Sequence, residues 1–137
     1  MAPLARIASR VVRALIGAPT TLPPELADRY PELARARYRR GGLPPRIGGW
    51  ALGERTVAAI TLWRTIFLAH ETRADAALLL HELRHMHQFE ASRLFPVRYL
   101  WASLRRGYRR NPYELDAEAF ATRRLRTDSS NSPSADV

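Results

Sequence analysis

Residues 76–92 constrain the fold more than any other stretch. Leu78, Leu79, Leu80, Leu83, Met86 and Phe89 make a helix there that is apolar on more than one side. Such a helix is buried centrally rather than laid on a surface. Thr72 or Asp75 can cap its start. Set into this run is His81-Glu82-Leu83-Arg84-His85. Four residues make about 400° of α-helix, so the two imidazoles share one face, one turn apart. A single tetrahedral Zn²⁺ can accept both, and Glu82 stands beside them to take a proton from an attacking water.

A hydrolytic zinc site needs a third protein ligand and an open position. No histidine lies beyond the helix that carries His81 and His85, so the third ligand must be a carboxylate. The last helical stretch offers Glu114, Asp116 and Glu118. Glu114 and Glu118 are four apart and share a face, while Asp116 is rotated by about 200° and points elsewhere. One Glu would bind the ion, and the other would accept a hydrogen bond from the non-ligating nitrogen of a ligand histidine, fixing its tautomer. Gln88, about 60° round the helix from His85, can support the site by hydrogen bonding. The competing role for Glu114 is local. In Asn111-Pro112-Tyr113-Glu114 it holds the N3 position of a capped helix, where a capping-box carboxylate sits. For Glu118 the competing role is a solvated surface charge.

His87 is about 240° from His81 and off the ligand face. His70 lies in a loop before the helix. A Gly-rich phosphate loop, a Ser-x-x-Lys or Gly-x-Ser-x-Gly motif and a Cys/His nucleophile pair are all missing from the sequence.

Around this centre the chain reads as follows. A basic amphipathic helix occupies 1–18, with Leu4, Ile7, Val11, Val12, Leu15 and Ile16 at helical spacing between Arg6, Arg10 and Arg13. A second helical stretch runs from Pro24 to about Arg40, divided near Pro31. Residues 41–49, with four glycines and two prolines, read as a loop. Thr56–Leu62 and Thr65–Leu68 are β-like, with Trp63-Arg64 either a tight turn or the middle of one longer strand. Pro96 opens a helix that Gly107 stops, and Asn111-Pro112 starts a last one, from Tyr113 to about Arg126. Residues 127–137 carry almost nothing apolar and read as a disordered tail. The expected fold is therefore α+β: a mostly helical single domain over 19–126, with a small sheet or hairpin packed beside the central helix.

A length of 137 residues suits one core. The chain has no cysteine, which excludes a thiolate metal site and a disulfide framework. All 22 basic residues are arginine, giving a net charge of +9, but they are scattered rather than gathered. Scattered arginine reflects a compositional bias more readily than a nucleic-acid surface, and no nucleic-acid partner is expected. The opening helix falls short of the ~20 apolar residues of a membrane span, and its arginines interrupt the core of any secretion signal. It suits packing on a protein or lying on an anionic membrane surface. A cytoplasmic or membrane-peripheral location follows as the expectation.

His81-Glu82-Leu83-Arg84-His85 followed by Glu114-Leu115-Asp116-Ala117-Glu118 resembles a minimal gluzincin metallopeptidase. More closely, the chain is similar to a short metallopeptidase-like domain of unknown function found near extracellular contractile injection systems. The shared features are a strand, a short polar loop, Leu79 through Gln88, and Asn111-Pro112-Tyr113-Glu114, within about residues 47–126. The resemblance implies a zincin-like fold and one Zn²⁺ held by His81, His85 and Glu114, with Glu82 as general base. It places Glu118, where the family more often has Asp, beside the first histidine.

The function expected from these readings is zinc-dependent hydrolysis of peptide bonds in a peptide or protein substrate. Tyr99, Tyr108, Tyr113 and Arg84 are the available oxyanion donors, and the strand at Thr65–Leu68 would be the edge that an extended substrate pairs with. The alternative is a non-catalytic zinc-binding scaffold, in which the ion ties the last helix to the central one.

Overall fold

The computed structural model describes residues 2–51 and 57–131, and these are mostly helical with one small mixed sheet. The α+β expectation holds. The chain falls into two compact units, residues 1–74 and 75–137.

In the first unit, helix α1 (Ala2–Ile16) leads into strand β1 (Ala18–Pro19). Gly17 makes the corner at φ 69°, and a Cβ there would stand 2.4 Å from the carbonyl oxygen of Arg40, so only glycine fits. Helix α2 (Pro24–Arg29) and a 3₁₀ turn (Pro31–Arg35) precede strand β2 (Arg37–Arg40). The sequence reading made Arg37–Arg40 helical, and the structure corrects it. Ala36 is extended, Tyr38 turns inward, and β2 pairs in parallel with strand β4 (Thr65–Leu68). Pairing with a distant strand outweighs local propensity here. Buried Tyr38 donates to the Leu33 carbonyl at 2.7 Å, and burial holds its phenol well above the usual range. The Arg40 guanidinium closes the neighbouring loop through the carbonyls of Ala69 (3.1 Å) and Thr72 (2.6 Å).

Residues 41–49 are not all loop, because helix α3 spans Pro44–Ala51. Proline suits a first helical turn. Gly48 lets the helix approach closely: a Cβ there would meet Ile60 and Val57 side chains at 3.1 Å. Strand β3 (Ala59–Leu62) pairs antiparallel with β4 through the two-residue turn Trp63-Arg64, with Trp63 at φ 53°. The beginning of the expected strand, at Thr56, lies outside the described residues. The sheet order is β1-β2-β4-β3. Thr65–Leu68 is thus an inner strand, paired on both sides, and not the substrate-accepting edge that the sequence reading made it.

Among its described residues the second unit holds three α-helices, α4 (Ala76–Ala91), α5 (Phe95–Arg106) and α6 (Pro112–Asn131), with a 3₁₀ turn at Tyr108–Arg110. Asp75 caps α4 by accepting from the Leu78 amide at 2.8 Å. Leu79, Leu80, Leu83 and Met86 are fully buried, as the all-round apolar pattern requires. Ala117 and Ala121 of α6 are buried with them. Asn111 is also fully buried and joins two helices: its Oδ1 accepts from the Tyr113 amide, while its Nδ2 donates to the Tyr99 carbonyl and to Ser103 Oγ. The last helix outruns its expected end at Arg126, continuing to Asn131 in what read as a disordered tail. Thr127 and Ser129 bond back to the carbonyls of Arg123 and Leu125. Residues 132–137 lie outside the description. No helix of the described residues is long and apolar enough to cross a membrane.

Candidate metal centre

Helix α4 presents His81 and His85 on one face, and the first turn of α6 brings Glu114 to them. His81 Nε2 lies 3.0 Å from Glu114 Oε2, His85 Nε2 lies 3.2 Å from Glu114 Oε1, and the two Nε2 atoms are 3.1 Å apart. The three ligand atoms fall within 4.8 Å of one another. A tetrahedral ion with bonds of ~2.0–2.1 Å sets its donors roughly 3.3 Å apart. The donor atoms therefore stand close to the spacing that such an ion imposes. Two imidazoles and a carboxylate can hold a metal here.

The hydrogen bonds behind His85 fix which nitrogen faces the cluster. Gln88 Nε2 donates to the Tyr113 carbonyl at 3.0 Å and to Asp116 Oδ2 at 2.9 Å, so its amide orientation is set. Gln88 Oε1 then faces His85 Nδ1 at 2.8 Å, and an amide oxygen only accepts. His85 Nδ1 must carry hydrogen. In the neutral ring Nε2 is consequently the lone-pair nitrogen, and it is the one aimed into the cluster.

Glu114 is held from two sides. Tyr99 of α5 donates to its Oε1 at 2.5 Å, while Oε2 faces His81. Burial alone would raise the Glu114 carboxyl, but the bonds from His81, His85 and Tyr99 and the His85 charge hold it well below the usual range. Burial opposes the charged form of His85. The Glu114 bond and the Glu82 and Glu114 charges, together with the Gln88 bond, outweigh it and push the imidazole up to about 9. Burial and then the Glu114 charge keep the Tyr99 phenol far above its ordinary value, so it stays a donor.

The capping-box role for Glu114 is not what forms, since the Asn111 amide donates to the Tyr108 carbonyl and the Glu114 carboxylate turns to the histidines. Glu82 is 6% exposed, and its charge acts on His85 and Tyr99. The His81 side chain, at 23%, is the most open of the cluster.

Glu118 is not brought to the site. It is exposed, and it shows no bond to His81 or His85 among the described residues. The carboxylate behind the ligands is Asp116, which reaches His85 through Gln88 and takes a 2.7 Å ion pair from Arg84 Nε. That bond from Arg84 keeps Asp116 below the usual carboxylate range despite some burial. Asp116 therefore does not point away, and Arg84, lying also over the Phe120 ring, is not a free oxyanion donor. Tyr99 likewise holds a ligand carboxylate. His87 stacks edge-on with Phe120, and His70 is exposed in the other unit. The sequence signal for Tyr99 was its place on the inward side of α5, four residues after buried Phe95.

No family model, no curated protein and no solved structure matches this chain, and the case for the site rests on its own geometry.

Proposed function

We propose that His81, His85 and Glu114 bind one zinc ion and that the chain is a minimal zinc metallopeptidase. The observation that carries this reading is the His85 relay, in which Gln88 fixes the Nε2 lone pair toward His81 and Glu114. The same donor set suits Fe(II). Zinc is favoured by Glu82 next to the first histidine, the residue order of a metal-assisted hydrolase.

When bound, a zinc ion lowers the pKa of its water toward ~7 and polarises a carbonyl oxygen. Glu82 accepts the proton of the attacking water and returns it to the leaving amine. Tyr99 holds Glu114 by Oε1, leaving Oε2 on the His81 side. The Asp116–Gln88–His85 chain keeps the His85 ring from turning.

A second reading, a zinc scaffold without catalysis, is favoured by the burial of Glu82, His85 and Glu114 at 6–8% exposure. Glu82→Gln in the zinc-loaded chain separates the two. Peptide hydrolysis that disappears with zinc retained supports the enzyme. A wild type inert toward a diverse peptide pool supports the scaffold.

A further inference from the structure

The metal cluster touches only the inner face of α5, through Tyr99. The outer face carries Leu94, Val97, Leu100, Trp101 and Leu104, each between 59% and 73% exposed. The four helical ones span an arc of about 100°, and Trp101 is about 200° from Tyr99. An apolar face of this kind, displayed to water beside the tightly packed Phe95 face, marks an interaction surface.

The charge around it says which. From Ala91 to Tyr113 the sequence has no acidic residue; on the helix Arg98 and Arg105 border the stripe, and Arg93, Arg109 and Arg110 stand just beyond its ends. Arg105 lies over the Trp101 ring, 5.9 Å from its centroid. A second copy of the chain seated on this stripe would set the arginines against their own equivalents, which repel. A surface of anionic lipid headgroups attracts them, and its interface is where tryptophan and an apolar arc are stable. We propose that the outer face of α5 docks on an anionic bilayer, Val97, Leu100, Trp101 and Leu104 entering the headgroup–acyl boundary and the flanking arginines pairing with lipid phosphates. The docking face and the metal cluster are then on opposite sides of one helix, so membrane binding does not depend on the metal.

Co-sedimentation of the full chain with vesicles tests this, using phosphatidylcholine alone against phosphatidylcholine mixed with phosphatidylglycerol. Binding to the mixed vesicles is expected to be at least roughly tenfold stronger and to weaken with salt. Arg105→Glu with Arg109→Glu, both exposed, should lower it roughly tenfold or more, since each arginine near such a surface contributes about fivefold. Leu100→Ser with Leu104→Ser should lower it similarly on vesicles of either salt condition. Ile7→Ser with Val11→Ser, in the similarly basic and exposed α1, should leave binding that the α5 changes still reduce.

Undiminished binding of both α5 variants overturns the proposal, as does failure of the wild type to bind mixed vesicles. Loss of all binding through the α1 change alone also overturns it. A dimer in sedimentation equilibrium that Leu100→Ser with Leu104→Ser dissociates would assign the face to a second copy instead.

Discussion

Gln88 Oε1 and His85 Nδ1 lie 2.8 Å apart, and because the Gln88 amide is pinned on its nitrogen side, that one contact decides the tautomer of His85. A site assembled by chance would not need a glutamine held by two acceptors to orient a histidine. The arrangement aims the His85 Nε2 at His81 and Glu114, as a metal ligand would need.

Replacing Gln88 by Leu keeps volume and removes both ends of the relay. Zinc affinity should fall by roughly 10–100-fold, the usual cost of losing a hydrogen-bonding partner of a ligand histidine. Competition against a chromophoric chelator measures it. An unchanged affinity would mean that His85 is oriented by packing alone.

Tyr99→Phe removes the donor on Glu114 Oε1 while keeping the ring against Phe95 and Tyr113. Hydrogen bonds to charged groups contribute about 1.5–3 kcal/mol. Urea unfolding of the metal-free variant should show a loss of that order. Zinc affinity should fall as well, since the carboxylate becomes free to turn.

Stability and metal binding should respond oppositely to pH. In the metal-free protein His85 sits at about 9, above its ordinary 6.5, so its contribution is complete below about 6.5 and disappears as pH rises through about 9. Glu114 is depressed, so its contribution is present above its ordinary 4.5 and is lost only as pH falls well into the acid range. Both are therefore intact between those two ordinary values, where urea midpoints in chelator should be highest. Zinc must displace the His85 proton, so affinity should climb by roughly tenfold per pH unit until about pH 9 and then level off. Binding measured by calorimetry in buffers of different ionisation enthalpy should report the released proton.

Asn111→Ala deletes a helix cap and leaves Ser103 Oγ and the Tyr99 carbonyl without a buried donor. A loss of about 2 kcal/mol or more is expected from the two effects. Because Asn111 ties α5 to α6, Glu114 and Tyr99 should lose register together, and zinc affinity should drop with stability.

The parts of this fold that could be read in advance are those fixed by neighbours in sequence. Asp75 and Asn111-Pro112 announce their helices through bonds made within three residues. His81 and His85 share a face by helical geometry, and Glu114 at the head of α6 was the carboxylate within reach. Arg37–Arg40 misread as helix because its partner strand begins 28 residues later, at Thr65, and nothing local declares it. The same blindness made Thr65–Leu68 an edge. Glu118 and Asp116 exchanged roles for a different reason. The buried face of α6 continues past Glu114 through Ala117 and Ala121, and Glu118, turned about 100° from Ala117, lies off its edge in solvent. Asp116 is recovered because the long Gln88 side chain reaches it from α4.

The metal centre is decided by the metal content of the purified chain beside His81→Ala, His85→Ala and Glu114→Ala, each first checked for a cooperative melt. About one zinc per wild-type chain is expected, and well below one in every variant that folds, since each has lost a ligand. Stoichiometric zinc in the wild type and in all three variants would contradict this assignment, as would a wild type that binds none when zinc is supplied.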